Sequence, residues 1–200
     1  MQRLVGFENA KVMTGESTQL PKGGYIVKIM DCQEISGEKN GKRYSYLAFS
    51  FDVCEGEYKN HFTNLYTAST DENKKWRGVL NVFVPQEGDV YYEDNLSRFK
   101  TMTANFEESN KGYAWNWDEK TLKNKVIGII YGEKEFLTND NEVIIITEPK
   151  YFTSVERIKE GKFKIPAIKK LNRPAPTSSS ASGFDAFTTD DSNEKLPWEL

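Results

Sequence analysis

The stretch RYSYLAFSFDV, residues 43–53, has the cleanest two-residue alternation in the sequence. From position 47 onward every second residue is Leu, Phe or Val, which is the period of side chains on one face of a β-strand. Tyr44 and Tyr46 fall on the opposite face. We therefore expect a strand that buries its Leu and Phe side chains in a core and turns two tyrosine rings away from it.

Other segments share this strand chemistry and are bounded by turn-forming residues. A loop with Gly37, Asn40 and Gly41 precedes the strand at residues 43–53, and the sequence TNDN separates the last two apolar stretches. Five strands are predicted in chain order, at residues 25–33, 43–53, 58–66, 125–136 and 142–151.

Two segments between the third and fourth predicted strands have a helical period instead. The first follows Thr70 and two acids, which are typical of a helix start, and stops at Pro85. The second covers about residues 95–109. The apolar positions that define the first segment are Trp76, Val79, Leu80 and Phe83.

Three meandering strands, a helical insert and a final hairpin follow the order of an OB-fold, a small Greek-key β-barrel. We therefore predict a mainly β domain over residues 21–170, an OB-fold-like five-stranded barrel with helices between strands 3 and 4. The same elements could form an open α+β sheet. Residues 1–20 have no sustained period and are predicted to form a loosely ordered arm.

The C-terminal residues 171–200 differ in composition from the rest of the chain. They begin with a Pro, Ser and Gly spacer, which cannot bury enough apolar surface to stay folded, and end as DDSNEKLPWEL. We expect a disordered linker that carries a partner-binding tip. The candidate residues of that tip are Asp190, Asp191, Glu194, Leu196, Pro197 and Trp198.

The sequence does not support an enzyme, a metal site or a cofactor site. One histidine, His61, and two cysteines lack metal-ligand spacing, and no GxxxxGK[ST] or GxSxG motif occurs. Cys32 and Cys54 fall in predicted strands and are predicted to be small core or surface residues of a protein from a reducing compartment. No run of 18 apolar residues is present. We therefore expect a soluble, cytoplasmic protein with no membrane partner.

A surface that combines aromatic rings and bases is the best candidate for a binding site. Tyr44 and Tyr46 would point outward next to Lys42 and Arg43, where the rings could stack on unpaired bases and the cations could meet phosphates. The alternative is that the two rings pack under the helical insert or the N-terminal arm.

Two further segments are candidates for the same surface. Trp115 and Trp117 could form a second stacking platform, or they could plug the open end of a barrel. Residues 150–173 carry eight bases and two acids, a net charge of +6, whereas residues 184–200 carry one base and five acids, a net charge of -4. Lys162 and Lys164 of the basic strip could track phosphates, or the strip could be a solubilising face.

These residues resemble a known family. The segments LPKGGY, KWRG, SRFKTMTANF, NKVIGIIYGEKEF and SVERIKEGKFKIPAIKKL are similar to the phage and prophage single-stranded-DNA-binding proteins of the DUF669 type. The resemblance covers most of residues 20–171, and its most specific part is the run from Ser-Val-Glu-Arg-Ile to Phe-Lys-Ile-Pro. It implies an OB-like body that protects single strands during phage DNA replication or recombination in an infected or lysogenic bacterial host.

The tip is similar to the acidic, apolar C-terminus of bacterial single-stranded-DNA-binding proteins, which implies that replication or recombination proteins are its partners. It departs from that pattern because Trp198 stands where Phe is usual and because Glu199 and Leu200 follow it. We expect a non-enzymatic, largely sequence-independent binder of single-stranded DNA. The alternatives are a protein-interaction adaptor that binds no nucleic acid and a carbohydrate-binding β-module.

Overall fold

The structure is a computed structural model that describes residues 19–39 and 41–171, without the side chains of Lys39 and Lys42. The predicted arm therefore lies almost wholly outside the described residues, and so does the predicted partner-binding tip. The tip residues concerned are Asp190, Asp191, Glu194, Leu196, Pro197 and Trp198.

One antiparallel sheet of five strands dominates the described part of the chain, which confirms the prediction of a mainly β protein. Its strand order is β3-β2-β1-β4-β5, with β3 and β5 at the edges of an open sheet. The strands are β1 (Gly23–Lys39), β2 (Lys42–Val53), β3 (Val79–Phe83), β4 (Val126–Leu137) and β5 (Val143–Thr153).

The helices lie between the strands and after the last one. They are α1 (His61–Ala68), α2 (Tyr92–Ser109) and α3 (Val155–Lys159), with a short 3₁₀ helix at Glu119–Leu122. The long helix α2 contacts β3, β4 and β5. Because β3 and β5 are the two edge strands, α2 lies where the edges of the sheet approach each other.

The prediction was wrong for residues 58–85, where helix and strand are exchanged. Residues 58–66 were expected to form a strand, but His61–Ala68 is helix α1. The cause is Asp52 at the end of β2, a buried carboxylate that accepts hydrogen bonds from the first turn of the helix. Its oxygens accept from the backbone N of Phe62 at 2.9 Å and of Thr63 at 3.0 Å, and from Thr63 Oγ1 at 2.6 Å. This long-range cap favours a helix where local pattern favoured a strand.

The predicted first helix instead contains β3. Gly78, directly before this strand, accepts a hydrogen bond at its carbonyl from the backbone N of Phe51 at 2.8 Å. It lies so close to β2 that a Cβ on it would be 2.2 Å from the Phe51 oxygen. Trp76 Nε1 donates to the same Phe51 oxygen at 3.1 Å. These contacts attach the segment to β2 in extended form, so the helical spacing of its apolar residues has no structural role.

The core lies on the inner face of the sheet, under α2. Phe49 of β2 packs between Phe106 of α2 and Phe152 of β5, with ring centroids 5.9 Å and 4.9 Å away. All three rings are buried. Removal of apolar surface such as theirs from water is the main favourable contribution to the free energy of folding. Cys32 is also buried and Cys54 half-buried, and both are free thiols.

Helix α3 and the segment after it cover part of the outer face. A Cβ on Gly24 of β1 would lie 2.7 Å from Ile158 Cδ1 and 2.8 Å from the Phe163 ring, so these side chains rest on the glycine. Farther along, the backbone N of Glu135 donates to the Lys169 carbonyl at 2.9 Å. The basic strip thus follows the sheet rather than leaving it after α3.

Candidate functional site

Three aromatic side chains form a row on the outer face of β2 and β3. The rings of Tyr44 and Tyr46 are nearly parallel, at 16°, with centroids 6.2 Å apart. Tyr46 then meets Phe83 of β3 edge to face, at 6.3 Å and 68°. We call Tyr44, Tyr46 and Phe83 the aromatic row.

Strand alternation accounts for the outward direction of the row. Leu47 and Phe49, which follow Tyr46 on β2, are buried in the core, while Tyr44 and Tyr46 are half-buried and Phe83 is 67% exposed. The half-buried rings packed against the core include Trp115 but neither tyrosine of the row.

The neighbouring strand β1 packs against the two tyrosines of the row. Gly37 of β1 is the Cα partner of Tyr44, and a Cβ at Gly37 would be 2.6 Å from the Tyr44 hydroxyl oxygen, so this ring lies flat over the glycine. Ile35 is the Cα partner of Tyr46. The half-buried state of the tyrosines therefore arises partly from the sheet beneath them, and the described contacts leave ring surface facing outward.

A cavity of about 670 Å³ opens at one end of the row, between the two edge strands and α2. We call it the edge cavity. Its lining residues within 19–39 and 41–171 include no Asp or Glu. Its lining residues come from β3 (Leu80, Asn81, Val82, Phe83), from α2 (Asn95, Ser97, Arg98, Phe99, Thr101, Met102), from β5 (Lys150, Tyr151, Phe152) and from the basic strip (Pro166).

Phe83 belongs both to the aromatic row and to the wall of the edge cavity. Tyr151 borders the cavity from the other edge strand, is 37% exposed, and donates its hydroxyl to the Lys164 carbonyl at 2.6 Å. The row, the cavity and the basic strip are therefore contiguous, although they come from distant parts of the sequence.

The predicted phosphate-binding side chains differ in their surroundings. Arg43 and Lys164 are exposed and form no ion pair within the described part of the chain. Lys162 Nζ is 3.0 Å from Glu160 Oε2, an exposed pair that contributes little to stability and leaves the lysine accessible. The side chain of Lys42 lies outside the described structure.

Two cations that sequence reasoning did not select line the edge cavity. Lys150 is held in place, because its Nζ lies 2.8 Å from Glu148 Oε1, and Glu148 is shared with Lys134 at 2.5 Å. Burial raises the pKa of Glu148, but the hydrogen bonds and charges of the two lysines outweigh burial and leave the pKa below its ordinary value. Arg98 is exposed and has no ion pair among residues 19–39 and 41–171.

Trp115 and Trp117 lie together, away from Tyr44 and Tyr46. Trp115 is half-buried and packs against the core, with its ring 6.4 Å from that of Phe99. Trp117 is 77% exposed, has a positive φ of 65°, and stacks on Phe99 at 6.5 Å and 15°. Both tryptophans contact Phe99, which lines the edge cavity, but neither tryptophan is itself among the lining residues.

Phe83, Arg98 and Tyr151 are the site residues that sequence reasoning missed. Phe83 was assigned to a helix, and nothing in the local pattern separates Arg98 from other exposed helix residues. Tyr151 could have been found, since it occupies the outer parity of the last strand next to buried Phe152.

Residues 19–39 and 41–171 contain no group of three or more His, Cys, Asp or Glu side chains that could hold a metal ion. Within the same residues, no helix is long and apolar enough to cross a membrane. Comparison of the chain with protein-family models gives no match, and comparison with curated proteins gives no significant match.

Proposed function

We propose that this chain is a non-enzymatic protein that binds single-stranded DNA with little sequence preference. The aromatic row is the observation that carries the proposal. Aromatic rings in series on a protein surface, here two half-buried tyrosines and one exposed phenylalanine, are a feature on which unpaired bases stack. Every base offers a face for stacking, which makes such binding tolerant of sequence. Each stacked base contributes roughly 1–3 kcal/mol by alanine substitution.

The strand order supports an OB-like architecture for this function. In an OB-fold the face formed by strands 2 and 3 binds oligonucleotides. Tyr44 and Tyr46 lie on β2 and Phe83 lies on β3, which is the corresponding face. The edge strands β3 and β5 line the same cavity, so the two edges of the sheet lie near each other. This is expected if the sheet curves into a partly open Greek-key barrel.

Electrostatics support binding at this face rather than over the whole surface. The net charge of the chain is -3, so bulk charge does not attract a polyanion. Lys164, whose carbonyl accepts from Tyr151 beside the edge cavity, is an exposed cation without an ion pair in the described structure. Arg43 is also exposed and precedes Tyr44 on β2, but it has the parity of the buried Ser45 and Leu47 and so leaves the strand on the face opposite the row. Lys42 and Lys162 are the other candidates for phosphate contacts. Such contacts release counterions, which makes affinity fall as salt rises.

The resemblance to DUF669-type proteins suggests the biological setting, which we propose to be phage DNA replication or recombination in the cytoplasm of a bacterial host. The C-terminal tip would recruit replication or recombination proteins. No cofactor is required for either role.

A gel shift with single-stranded and duplex DNA at two NaCl concentrations tests the proposal. We expect retardation of single-stranded DNA, weaker retardation of duplex, and loss of both at the higher salt concentration. Equal binding of duplex would contradict stacking on unpaired bases. Binding to a glycan array that is insensitive to salt, without DNA binding, would favour a carbohydrate-binding module instead.

A further inference from the structure

We propose that the edge cavity is a nucleotide subsite, in which one unit of the bound strand leaves the aromatic row and places its base between β3 and β5. The inference rests on the proposed function and deepens it, because it assigns a second site, between the edge strands, to a strand held on an open face.

The chemistry of the cavity wall fits a nucleobase. Phe83 and Tyr151 border the cavity from opposite edge strands and supply aromatic surface. Asn81 and Asn95 supply amide groups that can donate to and accept from the edge of a base. A volume of about 670 Å³ lies within the range of small-molecule sites, roughly 300–1,000 Å³.

The charge of the cavity fits a phosphate at its mouth. No Asp or Glu is among the lining residues in the described part of the chain, so nothing in that wall repels an anion. Of its two cations, Lys150 is only 14% exposed and is held by Glu148, whereas Arg98 is exposed and unpaired within the described structure. A guanidinium can grip phosphate oxygens with two parallel hydrogen bonds, and Arg98 is therefore the phosphate ligand of this subsite.

Phe83 connects the cavity to the row. Its ring contacts Tyr46 at 6.3 Å and also forms part of the cavity wall. Phe83 is therefore the side chain over which a strand stacked on Tyr44 and Tyr46 would pass to reach the cavity. This continuity distinguishes the edge cavity from an isolated surface pocket.

Photocrosslinking locates the base directly. The full-length protein is bound to dT oligomers that carry one 5-iododeoxyuridine at successive positions, irradiated, and digested for mass spectrometry. We expect crosslinks at Tyr151 or on α2 near Phe99, in addition to crosslinks on Tyr44 or Tyr46.

A matched pair of charge variants tests the phosphate contact. Arg98→Gln should weaken dT binding several-fold and lower the slope of log affinity against log salt by about one, since one phosphate contact is lost. Lys100→Gln removes a charge from the same helix at an exposed position outside the cavity and should leave the slope unchanged.

Crosslinks confined to Tyr44 and Tyr46, with equal affinities for the two charge variants, would overturn the subsite and leave the proposed function standing. Absence of any single-stranded-DNA binding by the wild-type chain would overturn the proposed function, and the subsite with it.

Discussion

Tyr46 of β2 and Phe83 of β3 are Cα partners in the sheet, and their rings meet edge to face with centroids 6.3 Å apart. The pair joins the open aromatic face to the edge cavity. It also joins two segments separated by helix α1, so the shape of the site depends on how residues 54–78 fold.

Phe83→Ala should reduce affinity for single-stranded DNA about tenfold, because one ring worth roughly 1–3 kcal/mol in stacking is removed. The side chain is 67% exposed, so the free energy of unfolding should change little. Fluorescence anisotropy with a labelled dT oligomer measures the first quantity and urea denaturation the second. Val79→Ala on the same strand, also exposed, is the control and should bind like wild type. Equal affinities for the two variants would exclude Phe83 from the site.

Asp52→Ala should lower the free energy of unfolding by about 2 kcal/mol or more, because the first turn of α1 loses its buried, charged acceptor. Asp31→Ala is the control. Its carboxylate is exposed and 3.9 Å from Lys123 Nζ, so its loss should cost less than about 1 kcal/mol. Denaturant titration of both variants measures the difference, and equal stabilities would show that the cap does not hold α1.

The two-residue alternation of side chains on β2 was the most informative pattern in the sequence. It identified the buried face, the strand itself and the face that carries Tyr44 and Tyr46. Helix α2 and strands β4 and β5 were predicted to within a few residues, because each has a sustained period or a dense run of Ile and Val between turn residues.

The first strand was predicted too short for a physical reason. A register shift between Ile29 and Asp31 changes which residues face inward, so that Ile29 and then Cys32 are buried while Met30 is 44% exposed. A bulge of this kind interrupts the period of two. The polar end of β1 is held in the sheet by pairing with β2 and has no apolar pattern of its own.

The site was predictable only where it depends on one strand. Tyr44 and Tyr46 are two residues apart on one strand and therefore share a face. The contact with Phe83 depends on β3, whose apolar residues have helical spacing in the sequence. Asp52 and Gly78 decide that region through contacts with α1 and β2, and local patterns do not contain such contacts.

Glu148 should make stability depend on acid pH. Its folded-state pKa is lowered from the ordinary value of 4.5 by Lys134 and Lys150, so its contribution is present above pH 4.5 and is lost as pH falls through the lowered pKa. Glu148→Gln should therefore be less stable than wild type at pH 7, with the difference shrinking below pH 4.5. Denaturant titrations from pH 7 to pH 3 measure this difference. Lys134→Gln removes one of the two lysines that lower the pKa of Glu148. The stability of this variant should therefore depend on pH less than that of wild type and more than that of Glu148→Gln. A stability difference between wild type and Glu148→Gln that stays constant from pH 7 to pH 3 would show that the pKa of Glu148 is not lowered in the folded state.

In the proposed complex, Tyr44 and Tyr46 stack on the bases of a single strand. Titration of a labelled dT oligomer with the double variant Tyr44→Ala, Tyr46→Ala tests it most directly. Tyr91→Ala is the matched control, since Tyr91 is 69% exposed and lies outside the row. We predict at least a tenfold loss of affinity for the double variant, an unchanged circular dichroism spectrum, and wild-type affinity for Tyr91→Ala. Wild-type affinity in the folded double variant would contradict the claim.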